Sequence, residues 1–186
     1  MTSKNAGKKI DSQTLFQQQE AQPAIAPGII ADNLRSPENI ASLFRLADAS
    51  GAKQIIFIQD KKQTFHLNKN IRRFSRNTCK RVDVKYCSIE EFKVLSDELP
   101  PLIALELTDT STSLLTTKLT KNCYFVVGSE RFGISDELLQ LGQSAVRIPM
   151  FGHNGSMNVS HALAICLFEW HRQHSSTLTQ KKTNIK

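Results

Sequence analysis

Three stretches of this 186-residue chain hold polar residues of chemical use at places that apolar periodicity does not require. The first is Asn33-Leu-Arg-Ser-Pro-Glu-Asn39-Ile-Ala-Ser-Leu-Phe-Arg45. In a helix opening at Pro37 the apolar stripe is Ile40, Leu43, Phe44 and Ala47, and Arg45 falls off it. A guanidinium there is free to clamp an anion, although plain exposure is the commoner use of an arginine. The second stretch, Gly128-Ser-Glu130-Arg131-Phe-Gly133, follows the apolar run Tyr124–Val127. Its two glycines let backbone approach a ligand closely, and free N–H groups in such a turn can cradle a carboxylate or a ribose. Neither GxGxxG nor GK[ST] is present, so no dinucleotide fingerprint or P-loop follows. The third runs from Arg147 through Gly152 and Gly155 to Ser156, Met157, Asn158 and Ser160. Those last residues open a helix whose positive end suits an anionic group, or they serve only as caps. His153 and His161 lack partners at metal-binding spacing, so no metal site is expected.

Positioning these residues calls for strands that end beside them. Apolar, β-branched runs predict strands at Gly28–Asp32, Gln54–Gln59, Val82–Cys87, Leu102–Leu107, Cys123–Gly128 and Ala145–Met150, most of them covered on both faces. Between them, Ser36-Pro37 opens a helix ending near Gly51, and Ser88-Ile-Glu-Glu91 is a capping box opening Ile89–Leu99. Ser135 is expected to cap a short helix ending at Gly142, and a last helix covers Asn158–His174. The stretch Leu67–Cys79 reads as a basic helix or loop. Strand–helix alternation predicts an α/β domain, a mostly parallel sheet with helices on both faces. Ligands in such sheets sit at the carboxyl ends of strands, which selects Asp32–Ser36, Leu105–Asp109, Gly128–Gly133 and Pro149–Ser156.

The net charge of +7 is concentrated. Nine basic residues and one acid lie within Lys61–Lys85, and four more basic residues with no acid lie within His171–Lys186. The remainder is therefore net acidic, and a belt and tail of this kind fit a polyanionic partner. Lys61, Lys62, Arg72, Arg73, Arg76, Lys80 and Arg81 are the candidate contacts to such a polyanion, which a solvated face would equally explain on charge alone. No apolar run reaches the roughly 20 residues of a membrane helix, and the first twenty residues hold no apolar signal core, so a cytoplasmic protein is expected. The four cysteines form no CxxC pair and read as buried free thiols. The chain divides into a polar extension (1–24), one folded domain (25–174) and a basic tail (175–186).

In this order and register the three stretches resemble the motifs of the SpoU (TrmH-like) family within the SPOUT superfamily. The likeness covers Ile30–Gly51, Val126–Asp136 and Arg147–Glu169, and its most specific part ends in SMNVSHALAICLFE. The resemblance implies a C-terminal trefoil knot, S-adenosylmethionine as methyl donor, a homodimer, and 2′-O-methylation of a ribose in RNA. Matched residue by residue, it implies Arg45, Asn39, Glu130, Ser156 and Asn158 in the catalytic site, and cofactor contacts at Leu105, Gly128, Ile148 and Met157. Arg45 would act as a base or as a clamp for an RNA phosphate. Met157, Arg131, Ala41 and Leu46 depart from the family's usual Leu, small residue, Gly and Thr. The short stretch before Gly28 leaves no room for the extra RNA-binding domain of several relatives, so tRNA is expected over rRNA. On the residues alone, a non-catalytic RNA-binding module and a small-molecule-binding α/β protein stay open.

Overall fold

Side chains along a strand point alternately to the two faces of a sheet, and here both sets are apolar. The computed structural model describes residues 9, 11, 25–52, 54–59, 69–76 and 78–174. Its strands are β1 (Gly28–Asp32), β2 (Gln54–Ile58), β3 (Asp83–Cys87), β4 (Leu102–Leu105), β5 (Thr112–Ser113), β6 (Tyr124–Val127) and β7 (Ser144–Arg147). The helices are α1 (Pro37–Ser50), α2 (Lys69–Phe74), α3 (Ile89–Ser96), α4 (Asp136–Leu141) and α5 (Val159–His174). Ile29, Ala31, Ile55, Phe57, Ile103, Phe125 and Val127 face one core with α1 and α5, while Ile30, Ile56, Ile58, Ala104 and Val126 face a second with Phe92 of α3 and Leu138 of α4. Two cores, one per face, are what bury such strands.

The seven strands form one sheet in the order β3-β2-β1-β6-β4-β7-β5, and every pairing between them is parallel. The chain lays down β1, β2 and β3 toward one edge and then crosses to the other half. β6, laid down after both of its neighbours, is inserted between β1 and β4, so the connections leaving β1 and β6 diverge from adjacent strand ends. That is the switch point where α/β sheets bind ligands.

Local signals set the helix ends. Ser36 accepts a hydrogen bond from the Asn39 amide, Pro37 stands in the first turn, and Gly51 closes α1 at φ 74°. The Ser88–Glu91 capping box is made in both directions. Ser135, expected as a side-chain cap of α4, makes no cap bond; its backbone N–H instead donates to the buried Asp32 carboxylate at 2.7 Å. Asn158 sits just before α5 and caps it, its Oδ1 accepting from Ser160 N at 2.8 Å. The far end of α5 is stitched to the 117–120 loop: Trp170 Nε1 donates to the Thr120 carbonyl at 3.0 Å and Gln173 Nε2 to that of Thr117 at 2.9 Å.

The structure differs from the sequence expectations at the sheet's margins. β3 begins at Asp83 and is largely exposed, because it lies at an edge and carries Asp83, Lys85 and Tyr86 outward rather than an apolar run. β4, β6 and β7 stop short of the expected ends, since their last residues turn into the cleft loops. β5 was not expected; two polar residues give no periodicity. The basic stretch after Leu67 resolves into α2 and a 3-10 turn, Thr78–Lys80, tied to the core by Ile71. The proposed segments 1–24 and 175–186 lie outside the described residues, save positions 9 and 11. Among the described residues no helix is long and apolar enough to cross a membrane.

Cys79, Cys87, Cys123 and Cys166 are free thiols. Burial pushes Cys123 and Cys166 up to about 12, so at pH 8 only ~1 in 10⁴ of either is thiolate, the reactive form. Cys79 is half-buried. In the native protein iodoacetamide should therefore label Cys79 first and spare Cys123 and Cys166 until denaturant is added; peptide mass spectrometry finding early adducts on either would contradict this packing.

Candidate active site

At the carboxyl ends of β4, β6 and β7 the chain leaves a cleft of about 430 Å³, within the ~300–1,000 Å³ usual for small-molecule sites. Its apolar lining comes from Leu105, Val127, Val146, Ile148, Met157 and Val159, and its polar lining from Glu106, Ser129, Glu130, Arg131, Arg147, Ser156 and Asn158. All four residues expected to touch a cofactor, Leu105, Gly128, Ile148 and Met157, line it.

The turn after β6 is closed on itself. Ser129 N donates to the Gly133 carbonyl at 2.9 Å and Gly133 N to that of Ser129 at 3.0 Å. A Cβ on Gly128 would stand 2.0 Å from the Gly133 carbonyl carbon, and Gly133 adopts φ 69° with the Glu106 carboxylate 2.4 Å from where its own Cβ would be. The Gly133 backbone thus fills the space a Gly128 side chain would need, and the Glu106 carboxylate the space a Gly133 side chain would need, so both glycines present main chain to the cleft.

Three connections meet through one side-chain amide. Asn39, buried at the start of α1, donates through Nδ2 to Glu130 Oε1 at 2.7 Å and accepts at Oδ1 from Asn158 Nδ2 at 2.9 Å. Glu130 Oε1 also accepts from Ser36 N at 3.2 Å, and Asn158 Oδ1 receives both the backbone N–H and the hydroxyl of Ser160. Asn39, Glu130 and Asn158, far apart in sequence, are thereby brought together. Ser156 lines the same cleft and is exposed.

Arg45 is not brought to the cleft. It stands exposed on α1, outside the lining, and makes no hydrogen bond or ion pair among the described residues. Arg72, Arg73, Arg76, Lys80 and Arg81 are exposed on α2 and the turn after it; Arg73 lies over the Phe74 ring at 4.9 Å, and Arg81 reaches Asp48 only at 3.7 Å. Lys61 and Lys62 fall outside the described residues. Among the described residues no group of three metal-ligating side chains is found.

Glu106 and Arg147 also line the cleft; both lie in stretches that the sequence selects, but no motif assigns either a role. Glu106 is the first charged residue after the apolar run Leu102–Leu105, a position at a strand's carboxyl end that could have marked it. Arg147 donates through Nη1 to the Ser111 carbonyl, which joins the β7 end to the loop before β5.

Residues 27–168 match the SpoU rRNA methylase family. The chain is 29% identical over 147 residues to a tRNA (guanosine(18)-2′-O)-methyltransferase of Aquifex aeolicus, covering 78% of this chain and 68% of that one. It is 28% identical over 145 residues to the protein of the same name from Thermus thermophilus, covering 78% and 74%. Its fold is similar to the crystal structure of an AdoMet-bound rRNA methyltransferase from Sinorhizobium meliloti, with a TM-score of 0.73 and 25% identity over 80% of this chain; the match spans 57% of that structure's chain.

The closed turn makes a paired test of packing. Gly128→Ala must push its methyl group against the Gly133 backbone and should destabilise by ~1–3 kcal/mol. Gly152→Ala, with nothing within 4 Å of its added Cβ, should stay within ~0.5 kcal/mol of wild type. Urea denaturation of both variants checks this, and equal effects would mean that the turn is not tightly packed.

Proposed function

The chain belongs to the SpoU rRNA methylase family, and from that membership and the cleft's geometry we propose that it transfers a methyl group from S-adenosylmethionine to a ribose 2′-hydroxyl in RNA. The observation that carries this is the meeting of three loops at the strand ends, with the main chain of two glycines on one side and Asn39, Glu130 and Asn158 locked together at the rim. The cleft fits the methyl donor: its apolar floor suits an adenine, and its mixed carboxylates and guanidinia suit a zwitterion that also carries a sulfonium. Leu105, Gly128, Ile148 and Met157 would hold it. When bound, it supplies an activated methyl group. The protein's own tasks are then alignment of the two reactants and help for a weakly acidic hydroxyl.

Arg45 is the residue assigned to that help. A guanidinium does not give up its proton in proteins, so its role is to clamp an RNA phosphate and to stabilise negative charge growing on the ribose oxygen. Because Arg45 is exposed and does not line its own chain's cleft, the active unit is a homodimer in which a second copy completes the site. Ile165 and Phe168 on α5, with Phe151 in the loop before it, are exposed and apolar and form the surface that such a copy would cover. The Ile148–Asn158 connection, which returns from β7 to α5 past the β6 turn, is the segment assigned to a trefoil knot.

RNA lies across the exposed arginines of α2, with tRNA as the substrate and the cytoplasm as the place of action. Both relatives above are named for tRNA, and the Sinorhizobium structure for rRNA. Radioactive methyl transfer to bulk tRNA and to ribosomal RNA, followed by mapping of 2′-O-methyl sites, tests the reaction and the choice together. Transfer to neither refutes the assignment.

Arg45→Ala should lower methyl transfer by at least ~100-fold, the scale of a lost charge-stabilising group, with S-adenosylhomocysteine affinity and Tm unchanged. Near-normal turnover would refute the clamp. Reversing Arg72, Arg73 and Arg76 together to Glu should weaken RNA binding by ~10³ or more at low salt and flatten its salt dependence. S-adenosylhomocysteine binding should not move. RNA titrations that show no change would make α2 an ordinary solvated face.

A further inference from the structure

We propose that Glu106 takes the vicinal hydroxyls of the methyl donor's ribose, one on each carboxylate oxygen; this rests on the reading of the cleft as the S-adenosylmethionine site. Two carboxylates line the cleft, and they are used differently. Glu130 works through one oxygen, Oε1, which holds Ser36 and Asn39 at the rim. Glu106 uses both oxygens at once. Oε1 accepts from Leu107 N at 2.8 Å, and Oε2 accepts from Ile134 N at 3.1 Å.

Two anchored oxygens fix the plane of a carboxylate, which a single hydrogen bond does not. An ionised carboxyl offers about four acceptor positions, so each Glu106 oxygen keeps roughly one for a ligand. A ribose diol presents two O–H donors side by side, and an acidic residue at a strand end is a known chemical match for ribose hydroxyls. The seat is built. Gly133 leaves the space into which the Glu106 carboxylate fits, and Leu105, Val127 and Ile148 line the same cleft. A glutamine could not do the same work, since both oxygens accept from backbone N–H groups and its NH₂ would have to face one of these donors.

The sulfonium or ammonium of the donor could also be drawn to this carboxylate, and the ligands chosen for the test separate the cases. 5′-Methylthioadenosine carries the ribose and adenine but no ammonium, sulfonium or carboxylate. The 186-residue chain and its Glu106→Gln variant are titrated calorimetrically with S-adenosylhomocysteine, with 5′-methylthioadenosine and with the 2′,3′-dideoxy form of the latter; Tm is recorded for each protein. Wild type should bind the first two, and Glu106→Gln should weaken both by the same factor, about 10- to 100-fold for a hydrogen-bonded charge. The dideoxy ligand should bind wild type and variant alike.

Loss confined to S-adenosylhomocysteine would place Glu106 at the amino-acid end and overturn the proposal. Equal loss for the dideoxy ligand would show that Glu106 only braces the turn, which also overturns it. Glu106→Asp, which keeps the charge but shortens the reach, should fall between the two; an Asp variant as weak as Gln with a collapsed Tm would likewise assign a bracing role. Wild-type protein that binds neither S-adenosylhomocysteine nor 5′-methylthioadenosine would overturn the cofactor reading, and this inference with it.

Discussion

The Asn39 side-chain amide stands between a group that can only accept and a chain of bonds that ends in a group that can only donate. Glu130 offers a carboxylate oxygen at one end, and the Ser160 backbone offers an N–H at the other. Between these fixed ends the two asparagine amides have one consistent orientation: each points its nitrogen toward the Glu130 side and its oxygen toward the Ser160 side. Three loops that are separately exposed and weakly held thus acquire a common frame. Hydrogen bonds of this kind contribute only ~1 kcal/mol each to stability. Their value lies in geometry, since the polar rim of the cleft is defined by them.

That frame would have nothing to join without the sheet's pleat. Alternation of Ile29, Ile30 and Ala31 between two cores forces helices onto both faces, and parallel pairing forces every crossover to return to the same end. The loops after β1, β4, β6 and β7 therefore open on the same edge of the sheet, where the cleft lies. The insertion of β6 between β1 and β4 brings Gly128 beside the Asp32–Ser36 loop, and the Ser135–Asp32 bond fastens the two connections just behind the cleft.

Much of this was legible in the residues. The strand cores, the α1 and α3 caps and the cleft-lining stretches 128–133 and 147–158 could be read from apolar runs, turn residues and glycine placement. What escaped did so for physical reasons. β5 is Thr112–Ser113, two polar residues held by neighbours rather than by any pattern of their own. Edge placement, which leaves β3 exposed, depends on sheet order and is not written in a local run. Ser135 looked like a side-chain cap, but its useful group is a backbone N–H directed at an acid about a hundred residues earlier. Asn158 read as either a cap or a site residue; its Oδ1 caps α5, while its Nδ2 reaches across to Asn39. The strand-end rule selects Leu105–Asp109 without distinguishing Glu106, because one carboxylate after a strand carries no motif; only the fold shows Gly133 and Ile134 leaning on it.

The late insertion of β6 and the docking of α5 have a consequence for how the protein comes into being. A ribosome releases β1 through β4 before β6, the strand that joins β1 to β4, so until β6 emerges the apolar edges of β1 and β4 lack their sheet partner. Contacts of such long sequence separation form slowly. The cleft draws on residues from Leu105 to Ala162, so no small molecule can assist the early stages by mass action, because the state it would stabilise does not yet exist. The burden of that interval falls on the apolar strands themselves and on whatever chaperones attend them; a ligand can reward only the finished chain.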